Sequence, residues 1–125
     1  MADQPSATIL VVEDDADVHA AVVETLESSG YRVLSARDGP EALELLDNDP
    51  SIDLMFSDLV MPHGMSGLEV AEAAHRRRPD LRVVLTSGYS TEALGGELDF
   101  PLIKKPYRLA ELVRRIAEAL RRDPA

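Results

Sequence analysis

The segment Ile52-Asp53-Leu54-Met55-Phe56-Ser57-Asp58-Leu59-Val60-Met61-Pro62 decides how the chain is read. A run of large apolar side chains leads into Ser57 and then into a carboxylate, Asp58. A second apolar pair and Met61-Pro62 follow at once. The run from Ile52 to Ser57 has the composition of a buried strand, so Asp58 sits at its carboxyl end. A buried carboxylate without a partner is costly. Asp58 therefore either caps a turn or helix, or something positive faces it.

Working outward, Thr8-Ile9-Leu10-Val11-Val12 is a continuous β-branched and aliphatic run. Such a run marks a strand covered on both faces, as in a parallel sheet. Glu13-Asp14-Asp15 follows abruptly, with Asp15 or Asp17 expected to cap the next helix. Val18, Val22, Thr25, Leu26 and Ser29 then recur at helical spacing, and Gly30 stands where a helix C-cap belongs. Tyr31–Ala36 is a second strand. Asp38-Gly39-Pro40-Glu41 opens a helix, with an N-cap Asp, Pro in the first turn and Glu three residues after the cap. Ser66-Gly67-Leu68-Glu69 is a capping box for a helix reaching about Arg77, where Pro79-Asp80 breaks it.

Leu81 to Leu85 reads as the fourth strand, ending at Thr86-Ser87-Gly88. A short helix is expected at 91–94, stopped by Gly95-Gly96. Phe100 to Ile103 reads as the fifth strand, ending at Lys104-Lys105-Pro106. Leu109, Leu112, Val113, Ile116, Ala117 and Leu120 form the apolar stripe of the last helix. Strand and helix thus alternate five times, which implies an α/β fold with a parallel sheet and helices on both faces.

The 125 residues suit one domain, with residues 1–7 as a disordered lead and 8–122 as the folded unit. There is no cysteine, which removes disulfides, thiolate catalysis and cysteine-based zinc sites. The net charge is −10, from 23 acidic and 13 basic residues, so nucleic acid and anionic membranes are not expected partners. No apolar run approaches the about 18 residues of a membrane span. The first residues lack the basic start and apolar core of a signal peptide, in keeping with a cytoplasmic location. Arg76-Arg77-Arg78 reads as a solvated helix end, Lys104 as a surface lysine, and His19, His63 and His75 as surface histidines. Met61 and Met65 read as packing or loop residues.

In open parallel sheets, ligands sit beyond the carboxyl ends of the strands, where the strand order reverses. That rule gathers Glu13-Asp14-Asp15, Asp58, Thr86 and Lys105 onto one rim. Each alone reads as a cap, a satisfied hydroxyl or a surface lysine; their joint placement carries the case. Carboxylates so crowded raise one another's proton affinity, and a hard divalent cation relieves them. An oxygen-only donor set favours magnesium or manganese over zinc. Asp58, between such an ion and Lys105, is then placed to attack phosphorus, with Thr86 able to donate to the attached group.

Glu13-Asp14, Asp58, Met61-Pro62, Gly67, Thr86 and Lys105-Pro106, taken in order, resemble the receiver domain of two-component response regulators. The resemblance spans Thr8 to about Arg122. It implies a flavodoxin-like, doubly wound (βα)5 fold with a five-stranded parallel sheet of order 2-1-3-4-5. It implies that Asp58 accepts a phosphoryl group from a histidine kinase or a histidine phosphotransfer protein. Asp14 and Asp58 would bind Mg2+ directly, Glu13 through water, and the Val60 backbone carbonyl would complete the protein ligands. Thr86 would be the switch hydroxyl and Lys105 the phosphate-contacting lysine, with a cis bond before Pro106.

The chain departs from the family pattern in places. Leu102 stands where an aromatic switch residue is frequent, and Tyr89, in a Ser87-Gly88-Tyr89 run similar to receivers of hybrid histidine kinases, would take part of that role. The loop around His63-Gly64-Met65-Ser66 looks one residue longer than the commonest form. The resulting expectation is a phosphoacceptor signalling module that assists its own phosphorylation and dephosphorylation, not a classical enzyme. The alternatives are a pseudo-receiver that binds partners without phosphorylation and a magnesium-dependent phosphohydrolase. Such hydrolases often carry a second carboxylate two residues after the nucleophile, where this chain has Val60.

Overall fold

Every residue of Thr8–Val12 (β1) is buried, because helices cover both faces of the sheet. The structure, a computed structural model, describes residues 7–60, 65–88 and 99–121. After β1 come α1 (Ala16–Ser28), β2 (Arg32–Ala36), α2 (Gly39–Asn48), β3 (Ile52–Asp58), α3 (Gly67–Arg77), β4 (Arg82–Ser87), β5 (Leu102–Lys104) and α4 (Leu109–Arg121). All strand pairs are parallel, and the five strands lie in the order β2-β1-β3-β4-β5. The helix expected at 91–94, the Gly95-Gly96 stop and Tyr89 lie outside the described residues, as do Met61, Pro62, His63 and Gly64.

The twofold alternation of strands splits the core into two layers. Leu10, Val12, Met55, Val83 and Leu85 pack with Ala42, Leu46, Val70 and Ala74 on the α2/α3 side. Ile9, Val11, Leu54, Phe56, Val84 and Ile103 pack with Val22, Leu26, Leu112 and Ile116 on the α1/α4 side. By the same alternation Asp58 and Thr86 fall on the α1/α4 side.

Local signals set the helix ends. Asp15 caps α1 by accepting from the amides of Asp17 and Val18, and Asp38 caps α2 by accepting from that of Glu41. Ser66 and Glu69 form the reciprocal capping box of α3. Gly30 follows α1 with φ 99°, the left-handed region that glycine enters freely.

Several details differ from the sequence reading; β2 starts at Arg32 rather than Tyr31, and β4 spans Arg82–Ser87 rather than Leu81 to Leu85. Ala7, assigned to the lead, accepts a hydrogen bond from the Arg32 amide at 3.2 Å. β5 begins at Leu102 rather than Phe100. Pro101 has no N–H to give to a ladder, although its carbonyl accepts from Leu85 at 2.8 Å, and Phe100 instead packs on the α2/α3 layer. Leu109, at the start of the expected stripe of α4, is 39% exposed, while Leu112 and Ile116 are fully buried.

Gly67 holds the entry to α3 against the end of β3. A Cβ there would lie 2.1 Å from the Asp58 carbonyl oxygen and 2.6 Å from the Leu59 Cα. These are backbone atoms, and the Gly67 amide is bonded to the Leu59 carbonyl at 2.7 Å, so nothing can swing aside. We expect Gly67→Ala to cost about 1–3 kcal/mol of stability through overpacking, read as a lower urea midpoint with an unchanged slope. A midpoint equal to that of the parent protein would show that the loop relaxes freely.

Candidate functional site

The strand order places the carboxyl end of β3 between those of β1 and β4. Val12 pairs with Ser57, and Asp58 pairs with Thr86, so the chain just after β1 lies level with Asp58. Oxygen atoms of Glu13, Asp14 and Asp58 all lie within 4.8 Å of one another. Glu13 and Asp58 are buried and Asp14 is exposed. This donor set of three carboxylates fits a hard divalent cation.

Asp58 is compensated from two directions. Its Oδ2 accepts from Lys105 Nζ at 2.8 Å, and its Oδ1 accepts from the Val60 amide at 3.2 Å. The Lys105 backbone is held by its amide, which donates to the Ser87 carbonyl at 2.8 Å, and the Lys105–Pro106 bond is cis. Burial disfavours the Lys105 ammonium, but the hydrogen bond to Asp58 and the charges of Asp58, Glu13 and Asp14 outweigh it, and the pKa is raised. Lys104, in contrast, is exposed.

Glu13 is pushed above the usual carboxylate range, first by burial. The Asp15 amide, donating to its Oε2 at 3.0 Å, and the Lys105 charge oppose the shift, while Asp58 and Asp14 add to it. The Tyr107 phenol is pushed up to about 12 by burial and by the charges of Glu13 and Asp58. Tyr107 stands edge-on to Phe56, with ring centroids 6.3 Å apart, beneath the rim.

Thr86 is fully buried beside Asp58, and its hydroxyl donates to the Ile103 carbonyl of β5 at 2.8 Å. The Val60 side chain is 57% exposed. Leu102 pairs with Leu85 on the edge of the sheet.

Sequence reasoning placed the histidines and the arginine run on the surface, and the structure corrects this in part. His19 is partly buried, with Nδ1 3.1 Å from the Glu13 carbonyl. His75 packs edge-on to Phe100 at 6.2 Å. Arg78 is also partly buried and donates to the Ile52 carbonyl at 2.6 Å. The Ser57 hydroxyl, another buried group the sequence reading passed over, donates to the Asp58 carbonyl at 2.9 Å. The one available signal for His19 was its place one helical turn after the Asp15 cap, which faces it back towards β1.

Comparisons with known proteins agree with this geometry. The family model for the response regulator receiver domain matches residues 9–117. Over 116 residues the chain is 36% identical to the response regulator receiver protein CpdR of Brucella abortus, covering 90% of this chain and 95% of that protein. It is 34% identical over 123 residues to the sensor kinase CckA of the same organism, covering 94% of this chain but 13% of the kinase. Among solved structures, the response regulator TrrA of Thermotoga maritima, in complex with Mg2+-BeF, superposes with a TM-score of 0.79 at 28% identity, covering 91% of this chain and 99% of that one.

The electrostatics give a testable sign. A folded-state pKa above the ordinary 4.5 means that folded Glu13 holds its proton more tightly than the unfolded chain does. Its contribution therefore turns unfavourable as pH rises from 4.5 through the folded value. In the metal-free protein, Glu13→Gln should raise the urea midpoint at pH 7, and the gain should vanish below pH 4.5. Added Mg2+ should then stabilise the parent more than the variant. A variant less stable at pH 7 without metal would contradict the assignment of burial as the dominant cause.

Proposed function

This chain belongs to the response regulator receiver family, and we propose that Asp58 accepts a phosphoryl group from the phosphohistidine of a histidine kinase or a histidine phosphotransfer protein. The observation that carries the reading is the pairing of Asp58 with Lys105 at 2.8 Å on a carboxylate already crowded by Glu13 and Asp14. A carboxylate so buried needs a positive partner, and the Lys105 ammonium supplies one beside the oxygen that would attack phosphorus.

In the transfer, an Asp58 oxygen forms a bond to phosphorus while the phosphorus–nitrogen bond of the donor breaks. The electron pair of that bond stays on the imidazole nitrogen. Lys105 remains within reach of the phosphoryl oxygens and offsets their charge. Mg2+, or Mn2+ in its place, held by Asp14, Asp58, the Val60 carbonyl and, through water, Glu13, would supply further neutralisation and orient the incoming group. Thr86 is the residue placed to donate to the attached phosphoryl group, by leaving the Ile103 carbonyl. Receiver domains are typically signalling modules, and Val60, two residues after Asp58, supplies no second carboxylate of the kind a phosphohydrolase uses. We assign the protein to the cytoplasm, where such donors act, with its altered surface formed by the helix expected at 91–94, β5 and α4.

Incubation with acetyl phosphate and Mg2+ tests the proposal. Intact-mass measurement should show the gain of one phosphoryl group, lost in Asp58→Asn and after chelation of the metal. No gain in the parent protein would favour a module that binds partners without phosphorylation. Sustained phosphate release from a monoester over many turnovers would point instead to a hydrolase.

A further inference from the structure

The Glu13 carbonyl lies where β1 has ended and α1 has not begun, so neither the ladder nor the helix supplies its donor. Residue 13 is nevertheless tied at three points. Its amide donates to the Ala36 carbonyl at 3.1 Å, its carboxylate accepts from the Asp15 amide at 3.0 Å, and its carbonyl lies 3.1 Å from His19 Nδ1. A carbonyl can only accept, so Nδ1 carries the proton in this contact. Both the neutral ring in that tautomer and the charged ring keep the bond, so the tie survives changes of charge on the ring.

His19 is itself delivered by the cap of α1. The Asp15 side chain binds the amides of Asp17 and Val18 at 3.0 and 3.1 Å, and the Asp15 carbonyl accepts from the His19 amide at 2.9 Å. The first turn is thereby fixed, and a side chain four residues after the cap reaches back to the strand end. Asp14 is exposed, and no hydrogen bond holds its side chain among the described residues. Its aim then comes from its backbone. The Glu13 carbonyl and the Asp14 amide belong to one rigid peptide plane, so fixing one orients the other.

We propose that His19 is a positioning residue for the metal-binding acidic site: its ring N–H holds the Glu13–Asp14 peptide plane and so directs Asp14 at the ion. The inference rests on the metal reading given above. It goes beyond the first layer of ligands, whose orientation commonly depends on such hydrogen-bonded supports.

Mg2+ affinity measured by titration calorimetry on the full chain, with thermal unfolding of the metal-free protein alongside, tests it in His19→Leu, His19→Gln and His19→Asn. The Asn amide nitrogen branches from Cγ as Nδ1 does, whereas that of Gln lies one carbon further out. His19→Leu and His19→Gln should bind Mg2+ about 5- to 10-fold more weakly, and His19→Asn within about 2-fold of the parent. Leu and Gln are better helix formers than Asn, so a role in helix stability alone would give the opposite order. The inference is overturned if His19→Leu binds Mg2+ like the parent, or if His19→Asn is as weak as His19→Leu. If the parent protein itself binds no Mg2+, the metal reading fails and this inference with it.

Discussion

Three negative side chains share one end of this sheet, and the ion pair between Asp58 and Lys105 is what makes the arrangement tolerable. Like charges this close repel one another, and burial of Glu13 and Asp58 denies them full solvation. The compensating ammonium comes from 47 residues further along the chain, beyond β5. No local structure can bring it there. The site therefore depends on β4 lying between β3 and β5, with its register held so that Asp58, Thr86 and Ile103 stand in line. Removing one partner of such a pair costs more than the pair contributes, because the remaining charge stays buried.

The two-layer core turns that electrostatic need into fixed geometry. Layers packed on opposite faces of β1, β3 and β4 leave the strand ends little freedom, while the chain beyond them carries the polar chemistry. At the β3 end, the Asp58 peptide is held from both sides. The Ser57 hydroxyl binds its carbonyl, and Gly67 admits α3 against the same atom. The backbone that presents the carboxylate is thus fixed separately from the carboxylate.

The central architecture was legible because its causes are local. β1 is buried along its whole length, so its apolar run has no polar interruptions, and the caps at Asp15, Asp38 and Ser66 bind amides two or three residues away. Convergence of Glu13, Asp14, Asp58, Thr86 and Lys105 followed from one topological rule applied to four strand ends. What escaped has non-local causes. The late start of β5 is an exception with a local cause, the missing N–H of Pro101, which the sequence reading did not weigh. The burial of Arg78 depends on the carbonyl of Ile52, 26 residues away. His19 looked like a surface residue because nothing in its neighbours reveals that a strand-end carbonyl lacks a donor.

Thr86 bears on how a phosphoryl group at Asp58 would be felt elsewhere. Its hydroxyl is bonded to the Ile103 carbonyl, so turning towards Asp58 breaks a buried hydrogen bond worth about 1 kcal/mol. A bond to a phosphoryl oxygen is charge-assisted and roughly twice as strong, so the exchange runs downhill. It removes one of the ties of the Ile103 carbonyl, which stays in the parallel ladder with β4, on a strand of only three residues paired to β4 alone in the sheet order. So short an edge strand has few other bonds to hold it, and losing the Thr86 tie loosens β5 against β4. If Asp58 is phosphorylated as proposed, the signal would pass through the β5 backbone without requiring an aromatic side chain at Leu102 to follow the hydroxyl. That route suits a chain with leucine at the position, because the two ends of the exchange, Thr86 and Ile103, are already in contact before any phosphoryl group arrives.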